Sequence, residues 1–277
     1  VLADGEEVLV TKDNNYKNLF YSVRGGGPGS FGVVTNVYLS AFSNTDYPSN
    51  AVAVRAYWEY THEDALAVTK TWAAIHRDAN YTDYDDWYPL FSIGPSVQND
   101  TIEHIIFLEF IWIPDVNGRG YYEFGKPYFT QRFLDNAVNP PVLFSETNGT
   151  ISELMLDFVI PTTHTSPFPY VARANLVSQP WDEAFVDILI DNVTSLMEYS
   201  NQNGNVFMNL IVESYGGMFL KNDPTKSLSA LLYRDLSMML MVQLLYTDET
   251  AKAYSADYLQ DTFTQYIASD SWQNEDI

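Results

Sequence analysis

The chain has 277 residues, 46% hydrophobic and 15% aromatic, enough apolar surface for a packed core of one large or two unequal domains, which excludes wholesale disorder. Its 36 acidic and 14 basic residues give a formal charge of −22, a balance that repels phosphate backbones and excludes nucleic acid as a partner. There is no cysteine, so thiolate metal sites and thiol nucleophiles are excluded, and the longest apolar runs, 105–113 and 238–245, are far too short to cross a bilayer.

In chain order, residues 1–42 read as strands and turns. Asp4-Gly5 is a two-residue hairpin signal between Val1-Leu2 and Val8-Leu9-Val10, and the run from Val33 to Phe42 has the β-branched and aromatic content of a strand. The polar stretch 43–50, with Pro48, reads as a boundary, dividing the chain at 1–45 and 46–277. Strands then alternate with helices. A strand is expected over 52–60, and Thr61 is a helix N-cap with Asp64 three residues on. Ala65, Val68, Trp72 and Ile75 follow at helical spacing. Strands are expected at 87–93 and 104–113 and a helix near 121–134, with a break at Pro140-Pro141. A helix over about 181–198, strands near 206–215 and 231–246, and a helix over about 249–267 complete the pattern. The expected fold class is α+β: a large, mainly antiparallel sheet covered by helices on one face, leaving the other face to wall a pocket.

The segment Leu19-Phe-Tyr-Ser-Val-Arg-Gly-Gly-Gly-Pro-Gly-Ser-Phe-Gly-Val-Val-Thr35 carries the most information. Gly27, Gly29 and Gly32 match the dinucleotide fingerprint G-x-G-x-x-G, but that fingerprint needs a helix to follow, and here a strand pattern follows. The Rossmann reading fails on context. A tight turn at a sheet edge remains open. So does a surface on which bare backbone lets a flat or anionic ligand approach closely.

The string Asn18-Leu19-Phe20-x-x-x-Arg24-Gly25-Gly26-Gly27-x-Gly29-Ser30-Phe31-Gly32-Val33-Val34-Thr35 resembles a signature of the vanillyl-alcohol-oxidase superfamily. It is most similar to the fungal-type, berberine-bridge-enzyme-like FAD-linked oxidases, with their PCMH-type FAD-binding domain. Asn18, Tyr21, Ser22, Val23 and Pro28 depart from the family's usual residues, and Pro28 removes one possible amide donor. Downstream, Glu213-Ser-Tyr-Gly-Gly-Met218 and Ser229-Ala-Leu-Leu-Tyr-Arg234-Asp235 resemble, more loosely, the family's Tyr-Gly-Gly strand and a later strand ending in Arg-Asp.

The resemblance implies that residues 1–45 are the C-terminal part of an FAD-binding domain and 46–277 a substrate-binding domain, incomplete at its C-terminus. It implies FAD contact at Gly26, Gly27, Gly29, Ser30, Phe31, Gly32 and Val33. Family members anchor flavin through a histidine, often with a cysteine, in a region preceding this one. His62, His76, His104 and His164 do not correspond to that anchor, so the chain is expected to be an excerpt that alone holds flavin poorly. The implied reaction passes a hydride from an alcohol or amine carbon of a small molecule, a secondary metabolite or sugar, to flavin N5, with oxygen as reoxidant. A cyclase on the same fold without net redox chemistry is an alternative. A secreted, aromatic-rich carbohydrate-binding module is another.

A catalytic base must be an acidic or phenolic side chain at the pocket wall. Glu213 is the first candidate against a plain strand-end carboxylate, and Tyr215 the second against an aromatic packed on the adjacent glycines. Gln243 is the candidate substrate-binding residue, although by strand alternation Met239 and Met241 share its face and core packing would explain it as well. Arg234 reads as structural, His104 and His164 lack metal-ligand spacing, and Asp83–Tyr88 reads as a pocket rim or a solvated loop. Sequons at Asn80, Asn99 and Asn148 lie in polar, turn-like sequence and point to a secreted glycoprotein; a fourth, at Asn192, falls on an apolar helix face, which argues against glycosylation there.

Overall fold

A computed structural model describes residues 1–40, 43, 51–78, 87–98, 101–114, 120–159, 168–177, 181–214 and 238–263. They divide into two compact units: the first is Val1–Ser43, and the second takes in the described residues from Ala51 on.

The second unit is a seven-stranded sheet. In chain order its strands are β1 (Ala51–Glu59), β2 (Trp87–Gln98), β3 (Thr101–Trp112), β4 (Leu143–Gly149), β5 (Tyr170–Val177), β6 (Val206–Ser214) and β7 (Met238–Tyr246). Their spatial order is β4-β1-β3-β2-β6-β7-β5, with antiparallel pairing throughout. Register decides which side chains share a face, because directly opposed residues point the same way. Val54 opposes Phe110, Phe91 opposes both Leu108 and Val212, and Val212 opposes Leu240; all of them are buried.

This face is covered by α2 (His62–Arg77), the π-helix Tyr121–Thr130, which runs into α3 (Gln131–Asn136), and α5 (Glu183–Asn203). Trp72 and Ile75 of α2 and Val186, Ile190 and Val193 of α5 pack into the same core. Each such side chain contributes roughly 1.5–3 kcal/mol relative to exposure. Helix α5 starts at Asp182, whose carboxylate accepts from the Phe185 amide at 2.8 Å, and ends at Gly204, whose φ of 68° only glycine adopts easily. Gly125 is required by packing: a Cβ there would lie 2.8 Å from the Trp112 ring.

The expected α+β fold with helices on one face is thus observed. Strand β1, α2, β2, β3 and α5 fall within a few residues of their expected limits, β2 running on to Gln98 and α5 to Asn203. The C-terminal helix is α6 (Glu249–Tyr258), followed by a wider turn over Leu259–Phe263. Unexpected are β4, β5 and α4 (Ile151–Val159), which covers one end of the second sheet face by placing Leu154 among Ala51, Ala53 and Ile111.

The first unit corrects the reading of residues 1–42 as strands. Residues Lys17–Val23 form a short helix, α1, and Pro28–Ser30 a single 3-10 turn. The Asp4-Gly5 turn is present, with Gly5 at φ 86°, but the flanking residues build no ladder. Residues 33–40 carry no helix and no strand. Among the described residues their one partner is Val1, which exchanges backbone bonds of 2.9 and 2.7 Å with Val33. A β-rich composition makes a strand only where a second strand supplies the ladder.

Candidate functional site

The sheet face away from the core is chemically mixed. Along one row, Ser145, Arg55, Glu109, Leu90, Glu213 and Met239 oppose one another from β4 across to β7. A parallel row runs Leu143, Tyr57, Phe107, Ser92, Ile211, Met241 and Ala174. A third brings Asn209 beside Gln243 and Ala172. Carboxylates, a guanidinium, amides and the hydroxyls of Ser145, Ser92 and Tyr57 alternate here with apolar side chains, the composition of a ligand-binding wall and unlike that of the helix-covered face.

Glu213 is half-buried on this face, next to last in β6, with Leu90 and Met239 opposite it on the neighbouring strands. Gln243 also lies here, and its alternation with Met239 and Met241 is as expected. Its amide pairs with Asn209, whose Nδ2 donates to Gln243 Oε1 at 3.0 Å, so it belongs to a polar pair and not to the core. Tyr215, Arg234 and His164 lie outside the described residues, as does Asp83–Asp86 of the acidic stretch. His104 lies on the helix-covered side, opposite Pro95, and burial holds its imidazole pKa below the usual histidine range.

The residues that sequence reasoning missed are Asn209, Arg55 and Glu109. Glu109 is 5% exposed, and Arg55 Nε donates to its Oε2 at 2.7 Å. Burial pushes the Glu109 carboxyl up, and Arg55 pulls it part of the way back. Glu109 interrupting an apolar run was the available signal; its partner, 54 positions away, was not visible without the register.

In the first unit, Gly25, Gly27 and Gly32 adopt φ of 115°, 87° and 147°, a conformation that side chains disfavour. The amides of Gly26, Ser30 and Val33 are engaged within the segment, donating to Ser22, Gly27 and Val1 carbonyls. The Phe31 amide closes the 3-10 turn on the Pro28 carbonyl, whereas those of Gly27, Gly29 and Gly32 have no backbone acceptor among the described residues and are the candidate donors for an anion. A Cβ on Gly29 would meet nothing within 4 Å, and one on Gly27 only Ser30 Oγ at 3.5 Å, so the chain itself does not fill the space over these glycines. The segment from Arg24 to Phe31 is exposed apart from Pro28, whose surroundings are outside the description. This arrangement fits close approach of a dinucleotide along bare backbone. Of the seven residues implied to touch FAD, three therefore offer amides, whereas Gly26, Ser30, Phe31 and Val33 have only side-chain or carbonyl atoms to offer.

Asn148 is exposed on edge strand β4, its Nδ2 donating to Tyr122 at 3.0 Å. Asn192 is tied down on both sides of its amide, donating to the Ile188 carbonyl at 2.7 Å and accepting from the Tyr258 hydroxyl at 3.3 Å. Asn80 and Asn99 lie outside the described residues. Among the described residues no helix is long and apolar enough to cross a membrane.

No family model matches the chain. It is 42% identical over 55 residues to the FAD-linked oxidoreductase malF of Malbranchea aurantiaca, a match covering 20% of this chain and 9% of that protein. Among solved structures, BBE-like 1 of Physcomitrella patens superposes with a TM-score of 0.70 at 16% identity, covering 99% of this chain and 54% of its own. Aclacinomycin oxidoreductase gives 0.69 at 18% identity, over 96% and 54%. The carbohydrate oxidase of Microdochium nivale, in complex with a substrate analogue, gives 0.63 at 19% identity, over 96% and 53%. The chain spans about half the length of these structures. Over that half, the chain has the fold of the BBE-like, FAD-linked oxidases.

Proposed function

We propose that the chain supplies the end of the flavin-binding domain and the substrate-binding domain of an FAD-dependent oxidase acting on a small-molecule alcohol or amine. The observation that carries this reading is the division of labour in the sheet: one face is closed by helices and the other presents Glu213, Gln243, Asn209 and Ser92. Likeness to oxidases of several kinds over nearly the whole chain supports it. The backbone amides of Gly27, Gly29 and Gly32 would hold the cofactor's phosphates or ring edge. Bound FAD supplies the hydride acceptor and passes the electrons on to oxygen. Glu213 takes the proton from the substrate hydroxyl or amine, Gln243 orients the substrate, and the aliphatic neighbours Leu90 and Met239 limit water around the carboxylate. Tyr215 is the alternative base, nominated from the sequence alone.

The test is the complete gene product, purified and titrated anaerobically with candidate alcohols and amines. Flavin absorbance that bleaches on adding substrate is the expected result. Flavin that is bound but never bleaches points to the non-redox cyclase, and a product without flavin sinks the oxidase reading. We also propose that the protein is secreted and glycosylated at Asn80, Asn99 and Asn148; a mass shift at these three sites, and not at Asn192, on enzymatic deglycosylation checks it.

A further inference from the structure

We infer that the Asn209–Gln243 amide pair recognises an uncharged substrate group that both donates and accepts hydrogen bonds: a carboxamide, a lactam or adjacent hydroxyls. The inference rests on the oxidase reading of the open sheet face and names the substrate class for it. The two residues are direct partners across β6 and β7, joined by one 3.0 Å bond. Whichever way the two amides are turned, that bond uses one N–H and one carbonyl. One carbonyl and further N–H donors are left over. Gln243 Nε2 has one other contact, the weak acceptor Sδ of Met241 at 3.8 Å. Both side chains are half-buried, where a leftover amide group is more costly than in open water.

The surroundings seat the pair while leaving one side of it open. On one side stands Gly94; a Cβ there would lie 2.5 Å from Asn209 Oδ1, so only glycine leaves room for the amide in this orientation. On the other side stand Ala172, opposite Gln243, and Ala174, opposite Met241, both exposed and small. Charge narrows the ligand further. On the same face Arg55 is spent on Glu109, while Glu213 and Glu59 have no ion pair among the described residues and disfavour a carboxylate, and the pair itself is neutral. Length narrows it again. Asn209 and Glu213 are four positions apart on one strand, roughly 13 Å at ~3.3 Å per residue, so a substrate reacting near Glu213 and held at the pair is longer than a single ring.

The test is titration calorimetry on the complete protein with three probes: benzamide, N,N-dimethylbenzamide, which only accepts, and benzoate, which is charged. Benzamide is expected to bind best. Asn209→Leu and Gln243→Leu are each expected to weaken it by about tenfold, the loss of one partly buried hydrogen bond, and the dimethyl compound much less. Gly94→Ala, which keeps both amides but displaces them, is expected to act like Asn209→Leu. Should Asn209→Leu not fold by circular dichroism, Asn209→Thr, well suited to a strand, replaces it. Unchanged benzamide binding in both leucine variants overturns the inference, as does benzoate binding as tightly as benzamide, or no binding of benzamide at all. Calorimetry needs no flavin, so the two readings fail separately. The expected probe pattern in a protein without flavin sinks the oxidase reading, and flavin that bleaches with substrate in a protein lacking the pattern sinks this one.

Discussion

Ser214 Oγ donates to Nε2 of His76 on the helix-covered side of β6, one residue along from Glu213 on the open face. The direction follows from the other ring nitrogen: Nδ1 lies 2.8 Å from the Trp72 carbonyl, which can only accept, so Nδ1 carries the hydrogen and Nε2 is bare. The ring is buried and stacked on Trp72 at 4.9 Å. Burial lowers the imidazole pKa from 6.5 to about 4, the Trp72 bond opposing it weakly. The unfolded chain therefore takes up a proton below about pH 6.5 that the native state refuses until about pH 4. The stability this represents is fully present above about pH 6.5 and is lost as the pH falls through that window, on the order of 3 kcal/mol in all. Urea unfolding from about pH 7 to pH 4 should show a steeper loss in the wild type than in His76→Gln. Equal slopes in the two proteins would refute the assignment.

Asp64 is a buried carboxylate, and both of its oxygens accept hydrogen bonds. Its Oδ1 accepts from the Val138 and Asn139 amides at 2.8 and 2.9 Å, and its Oδ2 from Asn139 Nδ2 at 2.7 Å and from the Thr61 hydroxyl at 2.8 Å. Burial pushes the carboxyl up, but these bonds from Asn139, Thr61 and Val138 outweigh it and leave the pKa below the usual range. The carboxylate thereby staples the start of α2 to the chain after α3. Asp64→Ala leaves two backbone amides, the Asn139 side-chain amide and a hydroxyl unmatched and should cost about 2–4 kcal/mol, read as a lowered denaturation midpoint. A shift within error of wild type would mean that the loop rearranges freely.

Much of this architecture was legible in the sequence because its central strands are buried or half-buried in alternation: β1, β3 and β6 carry Val54, Leu108 and Leu210 inward at period two. The edge strands were not legible. The sequence of β4, Leu-Phe-Ser-Glu-Thr-Asn-Gly, pairs on one side only and exposes most of its side chains, so no apolar pattern marks it. The glycine segment was recognisable, yet α1 just before it has seven residues, no side-chain cap and no buried face, so no capping or periodicity signal marks it. At the site, Glu213 and Gln243 could be nominated singly. Their companions Asn209, Arg55 and Glu109 became visible only once the register placed residues 34 and 54 positions apart side by side.

Two glycines of the first unit separate backbone strain from ligand clearance. Gly32 has φ 147°, and a Cβ on it would lie 2.6 Å from the Val1 carbonyl oxygen, so Gly32→Ala is strained whatever is bound. It should lower stability by roughly 1–3 kcal/mol and flavin content along with it. Gly29 meets nothing within 4 Å, so Gly29→Ala should leave the thermal midpoint unchanged while flavin content falls, because its methyl group enters the space a cofactor would occupy. Full flavin occupancy in Gly29→Ala would exclude close approach of the cofactor at that residue.

The last prediction concerns proton transfer. Glu213 stands on the open face with Leu90 on one neighbouring strand and Met239 on the other, and Ser92 and Ile211 in the next row. Neither Leu90 nor Met239 is charged, so neither competes with the substrate for the carboxylate. Replacing it with the isosteric amide preserves shape and hydrogen-bonding reach and removes only basicity. Glu213→Gln in the complete oxidase should therefore lower kcat by about 10²–10⁴-fold and leave KM within a few-fold of wild type. A purely packing role would change stability and KM while leaving kcat nearly intact, and Glu213→Asp separates the two further. The shorter carboxylate keeps the chemistry at a distance penalty, so kcat should recover part of the way towards wild type. If Gln and Asp at this position behave alike, the base lies elsewhere, and Tyr215→Phe becomes the variant in which kcat should collapse.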